Sequence, residues 1–162
     1  MIERLANKIL ELKQLDKEHR TFGSKEHKYK FKSPITKNEL NLFQELYEIE
    51  LPEQYRNFIL HFGSEGCGPH YGLIPLEQAV KNQKGQPQDA EFIAVSKPFK
   101  FKEFWNQQYT KGDYGVWETN YFKAHWIDGA LRISHEGCGY YTLLIVTGNE
   151  KGNIWKLSLI HI

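Results

Sequence analysis

The chain has 162 residues, of which 40% are apolar and 14% aromatic, and a formal net charge of +1. This length fits one compact domain, and the composition excludes a disordered tail and indicates neither a nucleic-acid-binding protein nor an acidic mimic. No run approaches the roughly 18 apolar residues of a membrane span, and the amphipathic, charged N-terminus does not resemble a secretion signal. Cys67 and Cys138 are too few for a disulfide framework. We therefore expect a single-domain cytoplasmic protein (residues 1–162).

The first 35 residues predict a helix followed by a basic loop. Ile2, Leu5 and Ile9 recur at helical spacing, which predicts a surface helix near residues 2–18. Four lysines then alternate with His27, Tyr29 and Phe31, a pattern typical of a loop or an exposed edge strand. Lysines commonly protect a strand edge from aggregation, so we favour that role over nucleic-acid binding.

Two further helices are predicted from their boundary signals. Thr36 and Glu39 have the spacing of a capping box, and the helix that they begin is expected to end near Ile49. Pro52 can open the next helix, and Gly63 supplies its C-terminal stop. The helix that begins at Pro52 carries an apolar stripe at i, i+3, i+4 and i+7, so we expect it to be well buried.

The middle of the chain is irregular. Residues 63–72 are glycine-rich and predict a loop, and residues 81–90 are polar and predict a surface excursion. Residues 92–95 and 98–101 look like short strands, and residues 121–126 predict a strand that leads into the Asp128-Gly129 turn.

Residues 131–155 contain the longest apolar run rich in β-forming residues and are expected to organise the fold. Residues 131–133, 140–146 and 154–159 predict a three-stranded antiparallel meander. Gly137 and Gly139 flank Cys138 in the first reversal, where glycine can take a positive φ. We expect Cys138 to be a small buried packing residue, and Trp155 to be buried beside the central strand.

Two motifs together resemble the SUKH superfamily: LPEQYRNFILHFG, with GPHYGLIPL after it, and IDGALRISHEGCGYYTLLIVTGNEKGNIW. The resemblance covers roughly residues 36–155 and implies an α+β fold, a largely antiparallel mixed β-sheet with helices on one side. Gly63, Gly137, Cys138, Gly139 and Trp155 would be structural residues. Related domains commonly continue into a C-terminal helix that this chain, ending at Ile162, is expected to lack. Apolar surface near Ile160 and Ile162 would then be left for a partner or a second copy.

The superfamily includes bacterial immunity proteins that neutralise toxins and regulators of yeast cell-wall glucan synthesis. The resemblance therefore implies a non-enzymatic protein whose partner is a cognate protein toxin. A regulatory or scaffold role in cell-wall assemblies is the alternative.

A third alternative is a zinc- or cysteine-dependent hydrolase. Cys67 with His70, and His135 with Cys138, form two pairs at three-residue spacing, which could supply four zinc ligands or a thiolate with its base. Glycine turns explain both pairs without metal, and no third catalytic group stands out. We expect no catalytic residue, no metal and no cofactor.

The predicted partner-binding surface lies on residues 65–71 and 105–118, because functional contacts concentrate on loops held by a rigid scaffold. Both segments combine aromatic with hydrogen-bonding side chains. The predicted anchors are Tyr71, Trp105, Tyr109 and Trp117, and the predicted charged rim is Glu65, Asp113 and Glu118.

Overall fold

The computed structural model describes residues 2–82, 91–106 and 120–158. Its helices within these ranges are α1 (Ile2–Leu15), α2 (Ser24–His27), α3 (Lys37–Leu46), α4 (Glu53–Phe62), α5 (Leu76–Ala79) and a 3₁₀-helix (Ala124–Ile127). The strands are β1 (Lys81–Asn82), β2 (Glu91–Phe92), β3 (Ala130–Gly137), β4 (Tyr140–Ile145) and β5 (Ile154–Ser158). The predicted α+β class is confirmed, and every ladder in the described residues is antiparallel.

Local signals in the sequence account for α3 and α4. The Thr36 hydroxyl accepts a hydrogen bond from the Glu39 backbone N–H at 3.1 Å, and the Glu39 carboxylate accepts from the Thr36 N–H at 2.7 Å. This capping box satisfies two backbone donors that the first turn leaves unpaired. At the end of α4, the Gly63 N–H donates to the Ile59 carbonyl at 3.0 Å with a φ of 98° at Gly63. Ile59 is fully buried, and Tyr55, Phe58 and Leu60 are partly buried against the core, so α4 packs on the core with its apolar side but is not buried as a whole.

The predicted meander is confirmed. Strand β4 lies between β3 and β5, with Leu143 opposite both Arg132 and Trp155. Isolated bridges widen the sheet beyond β3, because Leu73 pairs with Ser134, Gly66 with Leu73, and Phe31 with Gly66. The glycine-rich loop (residues 63–72) and the end of the basic segment (residues 16–32) are thereby attached to the sheet by backbone hydrogen bonds.

The core lies around the apolar middle of the meander. Leu131, Ile145 and Val146 are fully buried, together with Leu51 and Ile59 from the helical side. Complete burial of such a side chain contributes about 1.5–3 kcal/mol relative to exposure. The meander therefore supplies the rigid scaffold against which the irregular segments pack.

Several predicted elements differ from the structure. Residues 121–126 do not form a strand, because i to i+3 hydrogen bonds, such as that from the Trp126 N–H to the Lys123 carbonyl at 3.3 Å, build the 3₁₀-helix. Residues 98–101 are not a strand either, although Phe99 is buried in the core. The basic segment contains α2 where a loop or an edge strand was predicted, and α1 ends at Leu15 with no fully buried residue.

Candidate functional site

Tyr71 lies where the glycine-rich loop, the basic segment and the β3–β4 hairpin meet. The Tyr71 N–H donates to the His135 carbonyl at 3.1 Å, which attaches the loop to β3. A Cβ atom on Gly137 would lie 2.6 Å from the Tyr71 ring, and a Cβ on Gly23 would lie 2.0 Å from the His70 carbonyl oxygen. Glycine at these two positions therefore permits the close approach of all three segments.

A row of stacked rings runs inward from this point. The exposed Phe22 and Tyr71 rings meet edge to face at 5.1 Å, and the Tyr71 and His135 rings stack at 5.4 Å. His135 stacks in turn on Tyr141 at 5.0 Å, and the Arg132 guanidinium lies 3.6 Å from the centre of the Tyr141 ring. Such aromatic and cation–π contacts contribute of the order of 1 kcal/mol each beyond their burial.

Arg132 places an uncompensated positive charge at the inner end of the row. The residue is only 3% exposed, and one guanidinium nitrogen donates to the Lys81 carbonyl at 2.8 Å. Its Nε has no hydrogen-bond partner, and no carboxylate in the described residues forms an ion pair with it. Burial lowers the pKa of Arg132, and the nearby Tyr141 partly opposes that shift. Burial, together with the charge of Arg132, lowers the pKa of His135, so this ring is neutral at neutral pH.

Glu136 lies in the same hairpin but is compensated locally. Burial alone would raise its pKa, whereas hydrogen bonds from Lys156 and Thr142 and the positive charge of Lys156 outweigh burial and lower it. His70 Nε2 lies 3.5 Å from the second carboxylate oxygen. Glu136 is therefore an ionised residue that holds the β3–β4 hairpin and the glycine-rich loop together. An ionised carboxylate has no proton to donate, which argues against a role as a general acid.

A second carboxylate holds the basic segment in place. Asp16 accepts hydrogen bonds from the Arg20 N–H at 2.6 Å, the Ser24 hydroxyl at 2.9 Å and the Tyr29 hydroxyl at 2.7 Å. Burial tends to raise the pKa of Asp16, but these hydrogen bonds lower it overall. The lysines that follow Asp16 in the basic segment are therefore held in a defined position against the glycine-rich loop, which carries Tyr71.

Backbone strain is concentrated in the same region. Six non-glycine residues in the described part of the chain have a positive φ, and all except Glu48 belong to the three segments around Tyr71. The five around Tyr71 are His19, Lys28, Tyr29, His70 and Cys138. Each such residue costs about 1–3 kcal/mol, and strained residues are typical of functional sites. We call the surface formed by Phe22, Lys25, Lys28, His70, Tyr71 and the hairpin residues 137–139 the Tyr71 face.

Trp105 belongs to a separate aromatic cluster. Its ring stacks on Trp126 at 4.1 Å and on Phe101 at 4.8 Å, and the Lys100 ammonium lies 3.9 Å from the Trp126 ring centre. Burial lowers the pKa of Lys100, and Asp128 partly opposes this shift. No ring contact among the described residues joins this cluster to the Tyr71 row. Tyr71 and Trp105, the described anchors of the two predicted binding segments, therefore lie in separate aromatic clusters.

The two cysteines differ in their surroundings. Cys67 is buried, and burial raises its pKa to about 11, so its thiol stays protonated at neutral pH. Cys138 is exposed, so the expectation of a buried packing residue is wrong; with a φ of 47° it lies in the tight turn between β3 and β4, outside the strands. Within the described ranges, no group of three or more His, Cys, Asp and Glu side chains has metal-binding geometry.

The predicted site residues are only partly gathered by the structure. Tyr71 is an exposed residue at the centre of the face that bears its name, whereas Glu65 forms an ion pair with Lys32 at 2.5 Å and is already neutralised. The other predicted anchors and rim residues, apart from Trp105, lie outside the described residues: Tyr109, Asp113, Trp117 and Glu118. Trp155 is half-buried and packs on Phe99 at 5.1 Å.

The sequence interpretation missed Phe22, Arg132, His135 and Tyr141 as members of one row. The sequence did carry a signal for Arg132. It lies within an apolar strand segment, where a buried arginine is rarely found without a partner. The position of Phe22 depends on a contact between segments far apart in the chain, for which the sequence carries no local signal.

The geometry is that of a small α+β protein with a strained, aromatic and basic surface patch, in which no helix of the described residues has the length and apolar composition to cross a membrane. The model of the SMI1 / KNR4 family (SUKH-1) matches residues 34–161, and the chain belongs to this family. Searches of curated proteins and of solved structures found no match.

Proposed function

We propose that this chain is a non-enzymatic immunity protein that neutralises a cognate bacterial toxin by direct binding through the Tyr71 face. The observation that carries the proposal is the Phe22–Tyr71 pair: the two residues are 57% and 38% exposed, although Gly23, next to Phe22, lies close against the backbone of His70 and Tyr71. Exposed aromatic side chains on a rigid support are typical anchors of protein interfaces, because they bury a large area and lose little conformational entropy. Membership of the SMI1 / KNR4 family agrees with a binding role.

The chemistry of the site favours binding over hydrolysis. The Cys67 thiol is protonated at neutral pH, and no hydrogen bond in the described residues links Cys138 to a histidine. Glu136 is held ionised by Lys156 and Thr142. A cysteine hydrolase needs a thiolate, a base and an oxyanion site in one place, and these groups do not meet that requirement.

The test is co-expression with the toxin encoded next to this gene, together with titration calorimetry of the two purified proteins. Tyr71→Ala and Phe22→Ala should each weaken binding by about 2 kcal/mol or more, because central aromatic anchors carry most of an interface's binding energy. Phe92→Ala is the matched control, since Phe92 is 63% exposed on β2, outside the Tyr71 face. If all three variants bind as tightly as the wild-type chain, the interface lies elsewhere. Trp105→Ala then becomes the next variant to measure.

Failure of the wild-type chain to protect cells from the neighbouring toxin would reject the immunity role. A neighbourhood without a toxin gene would favour the regulatory or scaffold role.

A further inference from the structure

The distribution of charge around Tyr71 specifies the chemistry of the partner. Residues 16–32 contain six lysine and arginine residues against Asp16 and two glutamates, whereas the whole chain has a net charge of only +1. The remainder of the chain is therefore acidic overall. The positive charge of the molecule is concentrated on the segment that packs against Tyr71.

Two lysines of this segment are available to a partner. Lys25, on α2, and Lys28, just after it, are exposed and form no ion pair within the described ranges. Helix α2 is fixed on the Tyr71 loop, because a Cβ on Gly72 would lie 3.3 Å from the His27 ring. The two ammonium groups thus project from a helix and a turn that are anchored beside the aromatic pair.

Arg132 adds a second, independent source of positive potential. Its charge lies at the inner end of the ring row and has no carboxylate counter-charge in the described residues. A buried cation without a counter-ion is costly, and its field is weakly screened by the surrounding protein. Arg132 therefore adds positive potential at the inner end of the ring row that leads to Tyr71.

We infer that the partner docks on the Tyr71 face with an acidic protein surface, in which carboxylates surround an apolar centre. The apolar centre would contact Phe22 and Tyr71, and the carboxylates would pair with Lys25 and Lys28. This inference rests on the proposed function and adds to it the chemistry of the toxin surface. Carboxylates on the partner would be steered to the site from a distance, which makes association fast and dependent on salt.

The same face is less suited to a nucleic acid. Arg20 is already paired with Glu18, and Lys32 with Glu65, which leaves few free cations in this segment for a continuous run of phosphates. One face of the Tyr71 ring is covered by the stacked His135, which leaves less ring surface for a base. A protein with spaced carboxylates fits this pattern better than a continuous chain of phosphates.

The experiment uses a short fluorescein-labelled peptide in which glutamates flank a Leu-Phe pair, with a single-stranded oligonucleotide of equal length as the competing probe. Fluorescence anisotropy should show binding of the peptide that weakens about tenfold when NaCl is raised from about 0.05 M to about 0.3 M. The double variant Lys25→Glu and Lys28→Glu should weaken binding by at least about tenfold at low salt. The control is Lys8→Glu with Lys13→Glu, which changes the net charge equally on exposed positions of α1.

Absence of peptide binding, or equal loss in both double variants, would overturn the inference. Tighter binding of the oligonucleotide would overturn it in favour of a nucleic-acid surface. The co-expression assay is independent of these probes: a chain that binds the acidic peptide but protects against no toxin would refute the immunity role and leave the charge assignment standing.

Discussion

Replacement of Gly137 by alanine tests the arrangement of the Tyr71 face directly. Gly137 has a φ of 87°, and its added Cβ would lie 2.6 Å from Cε2 of Tyr71. The left-handed backbone costs an alanine about 1–2 kcal/mol, and overpacking against a held ring costs about 1–3 kcal/mol more. Tyr71 cannot easily turn aside, because it is stacked on His135 and meets the edge of Phe22. We therefore expect Gly137→Ala to lower the free energy of unfolding by about 2–5 kcal/mol.

A double-mutant cycle separates the two causes. In a Tyr71→Ala background the clash is absent, so Gly137→Ala should cost only the backbone part, about 1–2 kcal/mol. Gly139→Ala is the matched control in the same hairpin, because its φ of 77° demands the same backbone strain. The assay is urea unfolding followed by tryptophan fluorescence. An interaction energy between positions 137 and 71 below about 0.5 kcal/mol would refute the claim that the hairpin positions the Tyr71 ring.

Three other substitutions report on the surrounding scaffold. Trp155→Ala should destabilise by about 2–4 kcal/mol in urea unfolding, because the half-buried ring packs on Phe99 at 5.1 Å. Thr36→Ala removes a capping hydrogen bond to the Glu39 N–H and should cost about 1 kcal/mol by the same measurement. Asp16→Asn tests linkage to pH: folding lowers the pKa of Asp16 from its ordinary value of 3.8, so its stabilisation is complete above that pH and is lost as the pH falls below it. The wild-type chain should therefore lose stability more steeply than Asp16→Asn in thermal scans between pH 5 and pH 2.

Each of these substitutions has an outcome that contradicts its premise. A Trp155→Ala cost below about 1 kcal/mol would show that the ring contributes little to the core. A Thr36→Ala variant as stable as its parent would remove the capping box as a determinant of α3. Parallel acid unfolding of wild type and Asp16→Asn would mean that the network around Asp16 does not stabilise the folded state.

The elements that were predictable are those whose signals are local. The Thr36–Glu39 spacing marks the start of α3, and the apolar run between two glycine turns marks the meander. In both, the residues that make the decisive hydrogen bonds or turns lie close together in sequence. Short-range physical chemistry is then sufficient to specify the element.

The elements that were not predictable depend on distant contacts. Residues 121–126 are rich in aromatics, which favour strands, yet the Ala124 N–H donates to Glu91 and the Trp126 indole to the Asn120 carbonyl, and these bonds accompany a 3₁₀-helix. The Tyr71 face has the same character. Tyr71 was predicted from its loop, but the approach of the basic segment accompanies hydrogen bonds from the Arg20 N–H and the Tyr29 hydroxyl to Asp16, the second of which joins positions far apart in that segment. Nothing in the spacing of the lysines indicates that approach.

The contrast between the two thiols has a practical consequence for studying this molecule. A maleimide dye reacts with thiolates at accessible positions, so it should attach to the exposed Cys138 and spare the buried Cys67, whose pKa is raised to about 11. The sequence has no third cysteine. The wild-type chain therefore carries a single native attachment point for a fluorophore or spin label, and that point lies at the rim of the proposed docking surface, next in the chain to Gly137, whose added Cβ would meet the Tyr71 ring. Encounter with any partner can be followed at that rim without first engineering the chain.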